Sequence, residues 1–560
     1  MSYQMSERVR KNAFKILSKG RVSLVVSGCL LTTTVSLAAP VGEEKWGAHI
    51  DIEGKGGTDR NLGEAGLFMP LWQDVRTLVF TDIRTRMDDQ SSREGNFGLG
   101  VRHMLESGWN VGTYAYWDRR RSEYDNFFNQ VTVGAEALSL DWDFRVNGYV
   151  PVGQTTYNED SLNRTEISGS NVIFRGGEER SLGGFDAEIG WRVPLFAADA
   201  DQQLRVYAGG YRFADKGVPM VAGPRGRAEM VFDELPGLWS GSRLWVGAEL
   251  QNDDPRGTQG FLSMRLSIPL QAAETKSKRL TPMERRMTDS IVRDIDVVSQ
   301  AGTFGAAETA QATNGSAITV LNSATTVNLA TAITNAGANS TVILSGSFTP
   351  ANNTILTLNS GQTVMGSGSL SVRSPSGRTA TLTQSSGATV TTTFTTNNGI
   401  VAMADNSTLS GVTLNQYGSG AMAPFGIYAD GKTGVTIADN TIYVQHNMAA
   451  AYGIYLANGT SATISGNAIS VHNLNAGGAS ARGIRLADSS SAKITNNTIS
   501  AVSDTGGAFM SPVFITNSGI YQSGSTGNTF STSGGCNINS GGTTGTLYYT
   551  DSNGVSQSCP

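Results

Sequence analysis

Few side chains in the second half of the chain have the chemistry of a catalytic site, and they are widely spaced. Residues 301–560 contain seven acidic residues, and two of them, Asp430 and Asp488, fall in predicted turns, where Asp is common for backbone reasons. Cleaving a polysaccharide would require carboxylates clustered on one face, with Arg or Lys as base or a bound cation. The basic residues that lie close together are Arg482, Arg485 and Lys493. A solvated basic face is the simpler interpretation of that group.

The histidines of this half give no metal signal. His446 and His472 stand alone, without the spacing of metal ligands. The sequence therefore predicts no catalytic, cofactor-binding or metal-binding residue. The mild net charge of -5 over 560 residues also gives no reason to expect nucleic acid as a partner.

Charge and tryptophan divide the chain near residue 300. Of its 42 Lys and Arg and 47 Asp and Glu, only 13 residues lie after position 300, and all eight Trp lie between Trp46 and Trp245. At 560 residues the chain is also too long for one ordinary domain. We therefore expect two domains of different kinds.

The N-terminus has the pattern of a secretory signal peptide over residues 1–38. A basic start precedes an apolar run, and Ser36-Leu37-Ala38 fits a small-x-small site, which predicts cleavage between Ala38 and Ala39. Val26-Ser27-Gly28-Cys29 also resembles a lipoprotein cleavage box, so a lipid anchor at Cys29 is the alternative. The apolar run is too short and too diluted by Ser, Thr and Gly to favour a membrane helix.

Residues 46–270 alternate with period two in segment after segment. In 140–150, Phe144 and Val146 point one way and Asp143 points the other. A soluble sandwich gives the same alternation, but segments of about 10 residues, charges on the polar face and aromatics near strand ends favour a transmembrane barrel. An even number of strands would return the chain to the periplasm. The predicted strands are 46–53, 64–72, 75–84, 95–105, 109–118, 128–138, 140–150, 183–193, 202–213, 225–234, 242–251 and 259–270.

A short linker, residues 271–300, follows the last strand. Thr281-Pro282-Met283-Glu284 is a helix-start signature, with Thr281 as N-cap and Glu284 completing a capping box, and the helix is predicted to run to about residue 292. Six basic and two acidic residues lie between Lys276 and Arg293. Such a segment fits equally a solvated periplasmic helix or a pore lined by acids. The acids that the strands offer are Asp141, Asp143, Asp186, Glu188 and Glu249.

The last 260 residues repeat at intervals of 27 to 30. Gly-Ile recurs at positions 399, 426, 453 and 483, and VTIADNTIYV recurs as ATISGNAISV and AKITNNTISA. A period of this length, with β-branched residues and Gly/Asn turns, predicts a β-helix rather than a disordered stalk. Each coil is too small to bury its own apolar residues, so stacking must bury them.

Two aligned columns follow from this repeat. Ile437, Ile464 and Ile494 are expected in the core, and an aligned column of amides is expected to donate and accept along the stack. The predicted amide ladder is Asn440, Asn467, Asn497 and Asn528. Signal removal leaves two cysteines beyond the last coil, Cys536 and Cys559, and two cysteines in an exported chain suggest one disulfide. Closing a loop of this length would stabilise by roughly 3 kcal/mol in the chain-entropy model.

Three stretches are similar to one protein family, the inverse autotransporters of the intimin and invasin type, over about residues 46–300. They are FGLGVRHMLESGWNVGTYAYWDRR (97–120), TVGAEALSLDWDFRVNGYVP (132–151) and RLTPMERRMTDSIVRDIDV (279–297). The resemblance implies a 12-stranded barrel whose linker threads the pore and exposes a C-terminal passenger, and it favours the pore for the linker. Outer-membrane lipid, the barrel-assembly machinery and an unidentified surface receptor or glycan are the implied partners. Only about seven residues separate Ala39 from the first strand, so the peptidoglycan-binding lysin-motif module of many members is not implied.

Residues 317–345 resemble the opening of pectin-lyase-like right-handed β-helices, in which a short helix, here about 328–336, caps the first coil. This resemblance implies the fold alone. The sequence thus predicts an all-β chain, a 12-stranded outer-membrane β-barrel followed by a right-handed parallel β-helix passenger. The expected divisions are a signal peptide (1–38), barrel (39–270), pore linker (271–300), β-helix (301–535) and disulfide-closed lobe (536–560).

The favoured interpretation is a non-enzymatic adhesin, anchored in the bacterial outer membrane with its passenger on the cell surface. The alternative is a surface-displayed polysaccharide lyase or hydrolase on a β-helix scaffold. A barrel that transports small solutes is disfavoured by the large C-terminal cargo and the pore-filling linker.

Overall fold

The computed structural model describes residues 45–235, 237–270, 280–294, 296–396, 399–421, 423–475, 478–504, 510–532, 535–539 and 545–559. The expected signal peptide, with Cys29 and the Ala38/Ala39 cleavage site, lies outside these residues. Contacts divide the chain into Met1–Lys45 and Trp46–Pro560, and every strand and helix named below belongs to the second unit. Within the described part of the chain, no helix is both long and apolar enough to cross a membrane.

Twelve antiparallel strands form a closed barrel, as predicted, and the first strand pairs with the last. Numbered along the chain, the barrel strands are β1 His49–Gly57, β2 Leu62–Gln73, β3 Thr77–Asp88, β4 Arg93–Met104, β5 Asn110–Arg121, β6 Phe127–Leu138, β7 Trp142–Val152, β12 Gly183–Val193, β13 Gln202–Ala214, β14 Val221–Asp233, β15 Arg243–Asp253 and β16 Gly257–Pro269. Their ends differ from the predicted ends by up to four residues.

The alternation along these strands sorts the side chains between lipid and lumen. In β7, Phe144 and Val146 are exposed on the outer wall, whereas Asp143, Arg145 and Asn147 are buried inside the barrel. Apolar side chains that face outward suit the hydrocarbon of a bilayer, and the polar ones need partners within the lumen. The strand pattern therefore creates the polar interior that the linker enters.

A long excursion, residues 153–182, lies between the barrel strands β7 and β12. No strand is predicted there from the sequence, but the segment contains a 3-10 turn, Asp160–Leu162, and four short strands. They are β8 Thr156–Asn158, β9 Arg164–Ser168, β10 Asn171–Arg175 and β11 Glu178–Ser181. Two strands that follow the linker, β17 Ser299–Gly302 and β18 Ala307–Thr309, pair antiparallel with β11 and β10. We call residues 153–182 the barrel loop.

Two short helices occur after the barrel. The linker helix α1, Pro282–Arg285, is followed by a 3-10 turn, Arg286–Thr288, and residues 289–294 form neither helix nor strand. The predicted helix to residue 292 is therefore wrong at its C-terminal end. Beyond the turn, Asp289 contacts Arg243 of β15 and Arg293 contacts Asp118 of β5, so the chain reaches different walls of the lumen.

The rest of the chain is a parallel β-solenoid, the predicted β-helix. Its remaining elements are β19 Gln311–Ala312, β20 Ile318–Asn322, α2 Leu329–Asn335, β21 Thr341–Phe348, β22 Leu356–Thr357, β23 Thr363–Met365, β24 Gly368–Arg373, β25 Thr379–Gln384, β26 Ala388–Phe394, β27 Gly399–Ala402, β28 Thr408–Ser410, β29 Val412–Gly418, β30 Phe425–Asp430, β31 Val435–Ala438, β32 Thr441–His446, β33 Ala451–Ala457, β34 Ser461–Ser465, β35 Ala468–Asn473, β36 Ala481–Leu486, β37 Ser491–Thr495, β38 Thr498–Ser503, β39 Met510–Thr516, β40 Ile520–Tyr521, β41 Ser525–Phe530, β42 Cys536–Asn539, β43 Leu547–Thr550 and β44 Ser556–Cys559.

Each solenoid coil adds one strand to a seven-stranded sheet, β22-β27-β30-β33-β36-β39-β42, and two strands to a larger sheet. Ile437, Ile464 and Ile494 pair in register, and all three are fully buried in one continuous core. Helix α2, capped by the Asn328 side chain, buries Leu329 against that core at the first coil. An antiparallel hairpin, β43–β44, ends the larger sheet at the other end.

Candidate functional site

The linker lies inside the barrel and is held there at both ends of the described segment. At its start, the Thr281 hydroxyl accepts from the Glu284 backbone N–H at 3.3 Å, and the Glu284 carboxylate accepts from the Thr281 N–H at 2.7 Å. The indole N–H of Trp46 donates to the Glu284 carbonyl at 2.8 Å, which attaches α1 to the N-terminal side of the barrel. Met287 and Ile291 pack beside it against barrel-wall aromatics.

Buried ion pairs join the linker to the barrel wall. Three linker arginines reach wall carboxylates: Arg285 to Asp233 at 3.1 Å, Arg286 to Asp143 at 2.7 Å and Arg293 to Asp118 at 2.9 Å. Two linker acids reach wall arginines: Asp289 to Arg243 at 2.8 Å and Asp296 to Arg86 at 3.1 Å. Removing one partner of such a pair leaves a buried charge and costs about 3–5 kcal/mol. The pairs therefore fix the linker in one position.

The lumen wall is mixed in sign, whereas the pore alternative for the linker assumed a wall lined by acids. Asp143 and Asp186 contact the linker, the latter through the Asp294 backbone N–H at 3.3 Å. Glu188 is neutralised by barrel arginines, Asp141 is exposed beside Arg192, and Glu249 lies near Lys55. Charge counting alone misses the arginines that the wall supplies.

Little space is left beside the linker. A cavity beside Ile291, Asp294 and Asp296 of the linker, which Arg225 and Glu249 also line, has a volume of about 90 Å³. A water molecule takes about 30 Å³ of liquid volume, so only a few waters fit there. Among the described residues, the linker therefore occupies the lumen and leaves little open space beside it.

A second group of side chains lies on the outer surface of the seven-stranded sheet, and we call it the aromatic–arginine face. Its members come from four successive coils and are Phe425, Tyr428, Tyr452, Tyr455, Arg482, Arg485 and Phe514. Ring centroids are 5.5 Å apart for Tyr428 and Tyr455 and 5.7 Å apart for Tyr452 and Tyr455. The Arg485 guanidinium lies 4.5 Å from the centre of the Tyr455 ring, and that of Arg482 lies 3.6 Å from Phe514.

The two arginines of this face have no acidic partner among the described residues. Both donate to one acceptor, the Tyr452 hydroxyl, at 3.2 and 3.3 Å, and their Nε atoms are buried without a hydrogen-bond partner in the described chain. Burial lowers the pKa of Arg482, and the neighbouring Arg485 charge acts in the same direction. Burial and the nearby Asp430 raise the pKa of Tyr428 to about 12, so its hydroxyl stays neutral. The face combines flat rings with two half-buried cations that form no ion pair with any described residue.

The structure separates the basic group that the sequence suggests. Arg482 and Arg485 lie together, but Lys493 is exposed on β37 in the larger sheet, so the three do not form one cluster. Asp430 accepts from Asn458 at 2.5 Å and Asp488 accepts from Asn517 at 2.8 Å, as turn residues.

The histidines have separate roles. His472 is not alone, since its Nε2 lies 2.6 Å from the Asp504 carboxylate. His446 is buried and accepts from the Met448 and Ala449 backbone N–H groups. No group of three metal-binding side chains occurs among the residues that the structure describes.

The amide column and the cysteines hold the solenoid together along its axis. Asn440 donates to Asn467, Asn467 to Asn497 and Asn497 to Asn528, at 3.0, 2.9 and 3.1 Å. The side-chain oxygens of Asn467, Asn497 and Asn528 also accept the backbone N–H of the preceding ladder residue. Cys536 and Cys559 form a disulfide that ties β42 to the terminal hairpin.

A closed barrel with a polar lumen, filled by its own C-terminal linker and followed by a β-solenoid, defines a membrane-anchored carrier of a C-terminal domain. The family described as inverse autotransporter, beta-domain, matches residues 3–219, which include the first nine barrel strands. The barrel is an inverse autotransporter β-domain, and the protein is a bacterial outer-membrane protein. A second family, described as a protein of unknown function (DUF1565), matches residues 350–556 within the β-solenoid and its terminal lobe.

No curated protein matches the chain. Among solved structures, an outer membrane channel from Pseudomonas putida F1 is 12% identical, with a TM-score of 0.29, over 41% of this chain and 96% of that one. The translocator domain of the autotransporter NalP from Neisseria meningitidis is 10% identical, with a TM-score of 0.20, over 41% of this chain and 90% of that one. The NanC porin is 8% identical, with a TM-score of 0.25, over 40% of this chain and the whole of that one.

Proposed function

We propose that the protein is a surface adhesin that displays its β-solenoid outside the cell and binds an anionic ligand through the aromatic–arginine face. The display part is supported by the path of the chain, since β1 begins near α1 and the linker then runs through the lumen to β17. With an even number of strands, the chain that threads the pore leaves on the side opposite the N-terminus. The N-terminus of an exported barrel lies in the periplasm, so the solenoid lies outside.

The adhesion part depends on one observation, the pair of half-buried arginines without an acid in the described chain. The two guanidinium groups share a single hydroxyl as acceptor. A bound carboxylate, sulfate or phosphate would stabilise both, because charge-assisted hydrogen bonds to arginine are about twice as strong as neutral ones. The neighbouring Tyr428 and Tyr455 rings offer flat surface for a sugar or aromatic group beside that anion. The face runs along four coils, which suits an extended ligand.

The enzymatic alternative has less support in the described residues. The acids nearest the face, Asp430 and Asp488, are each hydrogen-bonded to a turn asparagine. Lyase or hydrolase chemistry would need carboxylates free to act together on one face. We therefore propose binding rather than cleavage.

Display is tested first, by adding protease to intact cells. We expect release of a fragment from residues 301–560 without rupture of the outer membrane. Release only after rupture would contradict the proposed orientation.

Binding is tested with intact cells that express the full chain, applied to an array of anionic and neutral glycans. We expect binding to anionic members and a loss of about tenfold or more for each of Arg482→Gln and Arg485→Gln, since a hydrogen bond to a charged group contributes about 1.5–3 kcal/mol. Lys493→Gln removes the same charge from another sheet and should bind as wild type. Equal binding by all variants would reject the face, and release of soluble sugar would favour the enzyme.

A further inference from the structure

The barrel loop supplies strands to the chain that leaves the pore. β11 pairs with β17 over four residues, and β10 pairs with β18 over three. Further backbone hydrogen bonds continue along the same path, from Ala310 to Val172 at 2.8 Å and from Val320 to Ser170 at 2.9 Å. The first 20 or so residues after the pore are therefore bonded to the barrel loop before the coils begin to pair with one another.

The same loop contributes two of the ten buried residues of a small apolar core at the base of the solenoid. Val172 and Phe174 of β10 are fully buried, and they belong to one cluster with Ile318, Val320 and Ile343 of the first coils. This cluster is separate from the continuous core of the later coils. The base of the solenoid is thus completed by side chains that the barrel provides.

Polar contacts attach a passenger hairpin to the loop. Arg378, between β24 and β25, donates to the Asp160 carboxylate at 2.9 Å, to the Asn163 side-chain oxygen at 2.6 Å and to the Gly177 carbonyl at 2.8 Å. The Asn163 amide donates in turn to the Thr379 carbonyl at 2.8 Å. These contacts join residues more than 200 positions apart in the sequence.

We propose that the barrel loop is the template on which the passenger begins to fold once it has left the pore. A solenoid coil is stabilised by its neighbours, and the first coil has none on one side, so the first coil is the costly one to form. The loop is part of the barrel, and in this proposal the barrel closes before the passenger passes through its lumen. Its strands and the apolar side chains of Val172 and Phe174 are therefore available to pair and pack when β17 and β18 emerge, and folding then proceeds from the base toward the tip. This inference rests on the proposed outward display.

The experiment follows the full-length chain on intact cells after a pulse of synthesis. An epitope tag at the C-terminus reports arrival at the surface, and resistance of the passenger to added protease reports folding. Phe174→Asp places a charge in the shared core, whereas Ile167→Asp on neighbouring β9 places the same charge at an exposed position. We expect resistance to appear roughly tenfold more slowly in Phe174→Asp, since a substitution in a folding nucleus slows folding. Ile167→Asp should match wild type, and tag arrival should be equal in all three.

A contact that merely stabilises the finished passenger would give another result. It would leave the rate of folding unchanged and speed the loss of resistance afterwards. That outcome, or wild-type kinetics in Phe174→Asp, would overturn the template role. If the tag of the wild-type chain never becomes accessible, the proposed display fails instead.

A second pair of variants covers the case in which Phe174→Asp prevents barrel assembly, seen as loss of the heat-dependent shift on a gel. Arg378→Ala removes the anchor from the passenger side and leaves the barrel sequence intact. Arg373→Ala, on the same hairpin, serves as its control, since the Arg373 side chain has no hydrogen bond or ion pair to the loop among the described residues and its strand pairs with β19 and β25. Slower folding in Arg378→Ala alone supports the template, and equal rates in both refute it.

Discussion

Replacing Asn467 by Ala tests the amide ladder that joins the coils. The Asn467 side chain is 1% exposed and makes five hydrogen bonds. Its oxygen accepts the backbone and side-chain N–H groups of Asn440, each at 3.0 Å. Its NH₂ group donates to the carbonyls of Ile437 and Ser465 and to the side chain of Asn497.

The cost comes from the partners that Ala would leave behind. The Asn440 N–H and the Ile437 carbonyl are buried between two coils, where water does not reach them in the intact stack. A buried polar group without a partner costs about 1–3 kcal/mol, so losing both lowers the free energy of unfolding by about 3–5 kcal/mol when the small cavity is included. The effect is local to the solenoid, because the hydrogen bonds of the ladder join residues of the solenoid to one another.

The assay is pulse proteolysis of the full-length protein in outer membranes across a urea series, scored by survival of the passenger. Asn352→Ala is the matched control, since Asn352 is an exposed turn residue of the solenoid whose backbone does not adopt a positive φ. Surface substitutions of this kind change stability by about 0.5 kcal/mol or less. If both variants shift the urea midpoint equally, the ladder does not stabilise the stack and the reasoning is wrong.

Four further expectations concern other parts of the molecule. Ile464→Asp should destabilise the passenger by several kcal/mol, because it buries an unpaired charge. Thr463→Asp, on the exposed face, should be tolerated, and the resistance of the passenger to added protease distinguishes the two variants. Arg293→Gln should loosen the linker and raise ion conductance in planar bilayers, and conductance equal to wild type would contradict the plug. Cys536→Ser should lower protease resistance at the C-terminal lobe and leave the barrel's heat-dependent gel shift unchanged. Burial lowers the pKa of His446, so near pH 6.5 the unfolded chain binds a proton at this residue more readily than the folded chain does. The free energy of unfolding of the passenger should therefore fall as the pH drops below that value. His446→Gln should make this pH dependence weaker.

The barrel and the solenoid were readable from the sequence because each depends on a local period. Strand β7 shows its two faces within 11 residues, and the coils show theirs at fixed intervals of 27 and 30. The same repeat could also have predicted part of the aromatic–arginine face. Gly-Ile at 426, 453 and 483 is followed by Tyr428, Tyr455 and Arg485, which therefore occupy equivalent positions in successive coils. Grouping the basic residues by proximity along the chain missed this face, because it joined Lys493 of another sheet to the two arginines.

The barrel loop and the linker pairs could not be read in this way. Strands β8 to β11 have three to five residues each, too short for a period, and their partners in the passenger lie more than 100 residues away. The charges of the linker indicated attraction to the lumen, but the pairing of Arg293 with Asp118 depends on the barrel's register and closure. Long-range pairing of this kind is a property of the folded barrel.

The solenoid's columns have a consequence for the reach of the molecule. Neighbouring coils meet through the same residue types at each step, Ile on Ile in the core and Asn on Asn at the turn. A duplicated or deleted coil therefore meets compatible neighbours, and each such event changes the height of the passenger by about 4.8 Å, the spacing of paired strands. Evolution can adjust how far the tip stands from the membrane in uniform increments, without any change to the barrel, the linker or the loop at the base.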